Sequence, residues 1–283
     1  MNLRCLSNSW ARSKPRSRSV NPQPTRGMDT THPMVEAFSK EELQRYLRQM
    51  IIPGIGTEGQ QKLKAARVFL AGLGGLGSIS AYYLAAAGIG HLVIVDRDEV
   101  QLDNLNRQII HWTDDIGKAK VHSTSKLSRL NPLCRVRGTR AEIQEENAMD
   151  LVGDCSVIVD ATDNLATRKI LNRASVMKRI PFIFGGIDGF NGMVTTFIPG
   201  ETPCLECIFP HLPSQAKRVG VLGPVPGWVA SVEALETIKV ILGMTEGLLK
   251  GRLLILKGAE MNITELKIGR NPDCEVCGIR SVK

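Results

Sequence analysis

A glycine-rich turn follows the first strongly apolar segment of the chain. Residues 68–78 read VFLAGLGGLGS and contain Gly72, Gly74, Gly75 and Gly77. Three of these glycines fit the spacing G-x-G-x-x-G, which is typical of a strand that turns into a helix whose first amides bind phosphate. Asp96 ends the next apolar segment, LVIVD, about 20 residues later, where such folds place a ribose-binding acid. A nucleotide site is predicted, although the pattern does not name the nucleotide and a turn that serves packing alone is the alternative.

The residues after Asp96 carry the charges that would distinguish one nucleotide from another. Arg107 and Lys120 lie in the segment RDEVQLDNLNRQIIHWTDDIGKAK, and Asp163 with Asn164 directly follows the apolar strand VIVDAT. A triphosphate under attack needs more cations than a dinucleotide, and usually Mg²⁺. Arg107 and Lys120 would supply the cations, and Asp163 would supply a metal ligand at the carboxyl edge of a parallel sheet. The residues alone leave open an ordinary surface charge for Arg107 and a helix N-cap for Asp163.

The cysteines indicate a metal site. The chain has seven cysteines, of which Cys204 with Cys207 and Cys274 with Cys277 form two C-x-x-C pairs. Four thiolates are the ligand set of a closed, structural zinc site, and a redox C-x-x-C is the alternative. The odd number argues against a disulfide framework and for a reducing cytosol. Cys134 and Cys155 lie in predicted strands and are expected to be small core residues.

Charge is concentrated at the amino terminus. The net charge is +8, but residues 1–34 contain six basic residues against Asp29 alone, which leaves only +3 for the remainder. We expect a disordered basic tail over residues 1–34 and one domain over residues 35–283. The tail also has the Arg/Ser-rich composition of a transit peptide, and the alternatives are a solvated tail or a natural start at Met28 or Met34. The weak charge of the domain gives no support to a nucleic-acid partner, and no apolar run reaches the roughly 18 residues of a membrane span. The cysteine pattern favours a reducing cytosol, so a cytoplasmic protein is expected.

Strand and helix signals alternate through the first two thirds of the chain. The predicted strands are RVFLAG, HLVIVD, CRVRGT and CSVIVDAT, and the predicted helices between them cover residues 76–87, 118–130 and 164–179. A further helix is expected after Ser39, where Ser39 and Glu42 have the spacing of a capping box. Such alternation predicts an α/β fold with a mostly parallel sheet and helices on both faces.

The pattern changes after Pro181. FIFGG and MVTTFIPG are predicted strands joined by a glycine-rich turn, and RLLILK with MNITELKI forms a late hairpin after a long helix around residues 229–242. Tight hairpins join antiparallel strands, so the sheet is predicted to become mixed at this end.

Taken together, the motifs resemble the ThiF/MoeB/HesA family of ubiquitin-activating-like adenylyltransferases. The matching segments occur in family order over about residues 36–278. They are RYLRQ at 45–49, GLGGLG at 72–77, Asp96 with Asp98, DNLNRQ at 103–108, GKAK at 117–120, ATDN at 161–164 and both C-x-x-C pairs.

The resemblance implies a Rossmann-like fold with a Cys₄ zinc knuckle, and ATP with Mg²⁺ in place of a dinucleotide. The positions that match the family's ATP site are Gly75, Asp96, Asn104, Arg107, Lys120, Asp163 and Asn164. By this likeness Asp96 binds the ribose hydroxyls, Arg107 and Lys120 bind the phosphates, and Asp163 binds Mg²⁺. Arg48 matches an arginine that reaches across a homodimer into the neighbouring phosphate site. Arg48, Arg107, Lys120 and Asp163 are therefore the expected catalytic residues.

The implied reaction is adenylation of the C-terminal glycine of a small ubiquitin-fold sulfur carrier that ends in Gly-Gly, in the molybdopterin or thiamine pathway. Relatives that bind the carrier covalently have a cysteine after the first zinc pair, but residues 208–227 contain none. We therefore expect adenylation only, with a separate sulfur donor. The alternatives are an NAD- or FAD-dependent oxidoreductase, a non-catalytic zinc-stapled binding module, and a family member that activates a tRNA base or a peptide.

Overall fold

The computed structural model describes residues 38–210 and 220–278, and the elements below belong to the unit that begins at Lys40. The helices are α1 (Lys40–Met50), α2 (Gly56–Ala65), α3 (Gly75–Ala87), α4 (Ser125–Leu130), α5 (Glu145–Val152), α6 (Leu165–Lys178), α7 (Leu205–Ile208) and α8 (Pro224–Leu242). The strands are β1 (Arg67–Ala71), β2 (His91–Val95), β3 (Arg135–Thr139), β4 (Val157–Asp160), β5 (Phe182–Asp188), β6 (Asn191–Phe197), β7 (Arg252–Lys257) and β8 (Asn262–Lys267). None of the helices in this part of the chain combines the length and apolarity of a bilayer span. The predicted basic tail, residues 1–34, lies outside the described residues, so the tail and its boundary stay predictions.

The eight strands form one mixed sheet in the order β3-β2-β1-β4-β5-β6-β7-β8. The first five strands in this order are parallel, and β6, β7 and β8 are added antiparallel. The turn between β5 and β6 consists of Gly189 and Phe190, which is too short for a crossover helix, so the strand direction has to reverse there. The predicted α/β fold, mostly parallel with a mixed end, is confirmed.

Apolar side chains cover both faces of the sheet. Leu70 and Val159 belong to the core under α3 and α8, whereas Phe69 and Ile158 belong to the core under α5 and α6. Neighbouring residues of one strand enter opposite cores because successive side chains point to opposite faces. Strands that are buried on both faces read as continuous apolar runs, which is why the parallel strands could be recognised in the sequence.

One predicted helix is present only in part. The predicted helix over residues 118–130 is a 3₁₀ segment over Lys120–Thr124, followed by α4. The 3₁₀ segment passes so close to β3 that a Cβ on Gly138 would lie 3.0 Å from the carbonyl oxygen of Val121. This contact with the sheet overrides the local helical preference.

Candidate active site

The glycine-rich turn lies where the order of the parallel strands changes direction, between β1 and β4. Ligands of open α/β sheets bind in the crevice at such a point. Gly72 has a φ of +90°, and a Cβ on it would lie 2.6 Å from the carbonyl oxygen of Ala161, at the end of β4. A Cβ on Gly77 would lie 2.1 Å from the carbonyl oxygen of Gly72. Both positions therefore require glycine, because any side chain would collide with backbone.

Gly74 and Gly75 form the start of α3 and have looser surroundings. A Cβ on Gly75 would lie 3.2 Å from Pro226 and 3.7 Å from Cγ of Arg107, and one on Gly74 would lie 3.7 Å from Nε2 of Gln108. The first amides of a helix have no intrahelical acceptor and carry the positive end of its dipole. This helix start therefore suits an anion, and the predicted start near Leu76 is confirmed to within one residue.

Asp96 fixes the turn from the end of β2. Its Oδ2 accepts a hydrogen bond of 2.7 Å from the amide of Leu73, and its Oδ1 accepts one of 2.8 Å from the amide of Asp98. Burial raises the pKa of the Asp96 carboxyl, and the charge of Lys120 opposes that rise. Each carboxylate oxygen keeps a second lone pair, so Asp96 can still accept hydrogen bonds from ribose hydroxyls.

Of the two predicted phosphate-binding cations, Arg107 lies beside the glycine turn and Lys120 lies near Asp96, which holds the turn. Lys120 is buried, with Nζ 3.0 Å from Oδ2 of Asp98. The stem of Arg107 passes Gly75, and its Nη1 donates to the carbonyl oxygen of Asp103 at 2.6 Å. The sequence motifs that carry the two cations therefore converge on the glycine turn.

Asn104 is buried under the segment that carries Arg107. Its Oδ1 accepts a 3.0 Å hydrogen bond from the amide of Gln101 and closes the 3₁₀ turn over Leu102–Asn104. The structure thus gives Asn104 a role in shaping the loop, while its predicted contact with ATP stays a prediction.

The loop between β4 and α6 places Asp163 and Asn164 at the carboxyl edge of the sheet. Oδ1 of Asn164 accepts a 2.9 Å hydrogen bond from the amide of Thr167, so Asn164 is the N-cap of α6. The alternative that Asp163 caps this helix is wrong, because Asn164 occupies the cap position. Asp163 is exposed and makes no hydrogen bond or ion pair with the residues that the structure describes. A free carboxylate oxygen at this edge is the kind of ligand that Mg²⁺ takes beside nucleotide phosphates.

Arg48 differs from the other predicted site residues. It is exposed on α1, and no hydrogen bond or ion pair joins it to the glycine turn within residues 38–210 and 220–278. Arg45, on the same helix, donates to the carbonyl oxygen of Leu130 at 3.1 Å and pairs with Glu41. Leu43 and Leu47 on this helix are also exposed. Arg45 therefore has partners within the chain, whereas the guanidinium of Arg48 is available to another molecule.

Two buried polar residues beside the turn were missed from the sequence. Nε2 of His111 lies 3.0 Å from the carbonyl oxygen of Leu73, and its Nδ1 lies 2.9 Å from Oγ of Ser123. A carbonyl only accepts, so Nε2 carries the proton, and burial lowers the pKa of His111 to about 4. The Oε1 atom of Gln108 is buried without a hydrogen-bond partner among the described residues. Gln108 ends the DNLNRQ segment but was not singled out there, and no local pattern marks His111, because its partners lie in other segments.

The two C-x-x-C pairs meet in one cluster. Sγ of Cys204 lies 3.7 Å from that of Cys274, Sγ of Cys207 lies 3.4 Å from that of Cys277, and all four sulfurs lie within 4.8 Å of one another. Four sulfurs at about 2.3 Å from one zinc ion would be roughly 3.8 Å apart, so the cluster fits tetrahedral zinc. The distances exceed a disulfide bond of about 2.05 Å. Four protein ligands leave no open position, so such an ion would be structural.

The remaining cysteines with described positions are core residues, as predicted. Cys134 and Cys155 are buried, and burial raises the pKa of their thiols to about 12 and about 11. Both thiols are therefore protonated and unreactive at neutral pH.

Comparison with known proteins gives the family. The ThiF family matches residues 46–276. The sulfur carrier protein adenylyltransferase of Thermus thermophilus is 41% identical over 252 residues, which cover 85% of this chain and 93% of that protein. The SAMP-activating enzyme E1 of Haloferax volcanii is 39% identical over 251 residues, which cover 87% of this chain and 92% of that protein. Adenylyltransferase and sulfurtransferase MOCS3 of Culex quinquefasciatus is 40% identical over 250 residues, and the match spans only 57% of its length.

Solved structures agree with this assignment. A crystal structure of E. coli MccB with MccA-N7isoASN superposes with a TM-score of 0.75 at 26% identity, over 87% of this chain and 77% of that chain. A second structure, of E. coli MccB with AMPCPP and MccA, has a TM-score of 0.74 at 27% identity, over 83% and 74% of the two chains. The match to the family begins within α1, ends one residue before Cys277 and includes the motifs around the glycine turn. The chain therefore belongs to the ThiF family and is an adenylyltransferase.

Proposed function

We propose that this enzyme uses ATP to adenylate the C-terminal glycine carboxylate of a small ubiquitin-fold sulfur carrier and releases pyrophosphate. The proposal is supported by the free amides at the start of α3, by Arg107 and Lys120 near the glycine turn, and by the exposed carboxylate of Asp163 at the carboxyl edge of the same sheet. The relatives named for sulfur carriers or for SAMP activation support the choice of substrate. Family membership favours ATP over the dinucleotide alternative.

The chemistry requires charge compensation and no general base. A C-terminal carboxylate has a pKa of about 3.5 and is already ionised at neutral pH. One of its oxygens attacks the α-phosphorus, the bond to the bridging oxygen breaks, and pyrophosphate leaves with the electron pair. The barrier arises because the anionic carboxylate has to approach the anionic phosphate. Fixed cations lower this barrier. In this proposal the amides of Gly74 and Gly75, with Arg107 and Lys120, hold the phosphates.

Two further residues complete the proposed site. Asp96 holds the ribose, and Asp163 holds Mg²⁺, which would supply additional positive charge against the phosphates. Both carboxylates lie at the carboxyl ends of parallel strands, on either side of the glycine turn.

We also propose a homodimer in which Arg48 of one subunit completes the site of the other. This assignment is supported by the exposed guanidinium of Arg48 and the exposed leucines beside it. Sulfur is proposed to come from a separate donor, because residues 208–227 contain no cysteine and the thiols of Cys134 and Cys155 are protonated. The pathway, molybdopterin or thiamine, follows from the identity of the carrier.

The test is ATP–pyrophosphate exchange with purified candidate carriers that end in Gly-Gly. We expect exchange that depends on the carrier, is lost when its last glycine is removed, and is lost in Asp163→Asn. Exchange driven by a short free peptide would instead identify a peptide substrate. Stoichiometric binding of NAD or FAD without any use of ATP would contradict the proposal, and a DTT-sensitive adduct with the carrier would contradict adenylation without covalent transfer.

A further inference from the structure

Arg168 joins the loop that carries Asp163 to the neighbouring strand β5. It lies in the first turns of α6 and its side chain is only 15% exposed. Its Nη2 donates to two carbonyl oxygens, that of Thr162 at 2.6 Å and that of Gly185 at 2.8 Å. A single guanidinium nitrogen therefore bridges the end of β4 and the middle of β5.

Thr162 is held from three sides. Its amide and its hydroxyl both donate to Oδ1 of the buried Asp160, at 3.0 Å and 2.6 Å, while its carbonyl oxygen accepts from Arg168. The carbonyl of Thr162 and the amide nitrogen of Asp163 belong to the same planar peptide unit. A hydrogen bond that holds this carbonyl oxygen therefore also holds the plane of the peptide that leads into Asp163. On the other side of Asp163, the side chain of Asn164 fixes the helix start.

The guanidinium of Arg168 is itself restrained. Its Nε lies 3.4 Å from Oδ2 of Asp160, and its central carbon lies 4.8 Å from the centre of the Phe184 ring. Glu233 of α8 packs against β5 at Gly185. A Cβ on Gly185 would lie only 2.2 Å from Oε1 of Glu233. Only a planar, multiply donating cation satisfies the ion pair, the ring contact and both carbonyls together. A lysine at this position would keep the charge and lose the geometry.

The geometry points to Arg168 as a positioning residue for adenylation: it holds the Thr162–Asp163 peptide so that the Asp163 carboxylate faces the metal-bound nucleotide, and it ties this peptide to β5. The inference rests on the proposed role of Asp163 and goes beyond it. It assigns Arg168 a role that acts through the Thr162–Asp163 peptide and not through contact with nucleotide or metal.

The first test measures the binding of a fluorescent ATP analogue to Arg168→Lys with Mg²⁺ and with EDTA. We expect Mg²⁺-dependent affinity to fall about tenfold, equivalent to about 1.4 kcal/mol, while affinity in EDTA stays at the wild-type value. Arg173→Lys is the matched control, because Arg173 lies on the same helix but pairs with Glu145 at the surface. Equal losses with and without Mg²⁺ would overturn the inference.

A double-mutant cycle supplies the second test. If Arg168 acts through Asp163, Arg168→Lys combined with Asp163→Asn should bind no more weakly than Asp163→Asn alone. If the losses of affinity in the two single variants multiply in the double variant, Arg168 acts independently of Asp163. If Arg168→Lys does not fold, Thr162→Val removes one of the bonds to Asp160 and should give a smaller loss that again depends on Mg²⁺. An unchanged Mg²⁺ response in folded Thr162→Val would also overturn the inference, and the binding assay gives its result even if no carrier supports exchange.

Discussion

Nζ of Lys120 lies 3.0 Å from Oδ2 of Asp98, and the two side chains differ in exposure, 7% for the lysine and 53% for the aspartate. The cation is thus held inside the crevice while its counter-ion faces solvent. Water screens the charge of the exposed Asp98 carboxylate, so its ion pair with Lys120 is weaker than a pair with a buried carboxylate would be. In the proposed site this pair would hold Lys120 in position for phosphate.

Lys120→Ala should lower carrier-dependent ATP–pyrophosphate exchange by at least about 100-fold, because it removes a fixed cation from the site of charge development. The measurement is initial exchange rate at saturating ATP. Lys118→Ala is the control, since Lys118 is exposed in the same segment and should leave the rate unchanged. Comparable losses in both variants would point to a damaged segment and not to a lost phosphate contact.

Purified protein should contain one zinc ion per chain, measured by elemental analysis. Cys204→Ser should lose that ion and unfold at lower temperature, because a structural metal stabilises the fold that binds it. Cys134→Ser, which changes a buried cysteine outside the cluster, should keep its zinc. Full zinc content in Cys204→Ser would rule out the four-cysteine site.

Acidification should destabilise the protein through His111. Its pKa in the folded state is lowered to about 4, against an ordinary value of about 6.5, so the unfolded state binds the proton more tightly. The stabilisation is present above pH 6.5 and is lost as the pH falls from 6.5 towards 4. Between pH 7 and pH 5 this single group contributes a loss of about 2 kcal/mol in the free energy of unfolding. Denaturant titrations of His111→Gln should show a correspondingly smaller loss, whereas His122→Gln, at an exposed position, should behave like the wild type.

Mixing two inactive variants tests whether Arg48 acts between subunits. In a mixed dimer of Arg48→Ala and Lys120→Ala, one of the two sites has both an intact Lys120 and an intact Arg48 from its neighbour. Equal mixing makes half of the dimers mixed, so exchange should recover to about a quarter of the wild-type rate. Arg45→Ala provides the helix-matched control and should remain active alone. If mixed dimers form and no activity returns, Arg48 does not act across the interface.

The sheet was predictable from the sequence because burial on both faces leaves an unbroken apolar signature in each central strand. The cysteine cluster was predictable because the C-x-x-C spacing brings two thiols of one segment close together. The cap of α6 was not decided by the sequence, since Asp163 and Asn164 are both good caps and only the observed bond to Thr167 selects Asn164.

The contacts of Arg168 and His111 were beyond sequence reasoning for a different reason. Arg168 bonds to residues of β5, and His111 bonds to the glycine turn, so each pairing exists only after distant segments are brought together. Similarly, the 3₁₀ form of residues 120–124 results from contact with β3. Local patterns carry no information on such long-range partners.

The four sulfurs enclose a long loop of chain between Cys207 and Cys274, and this loop includes α8. Pro226, near the start of α8, lies against Gly75, so this span includes a residue beside the helix start that is proposed to bind phosphate. Opening the cluster would remove the closure of this loop and so raise the conformational entropy of the unfolded chain, which destabilises the fold. A structural ion at the cluster would then help to keep the span with Pro226 folded, and we expect metal starvation to lower thermal stability and, with it, the affinity for ATP.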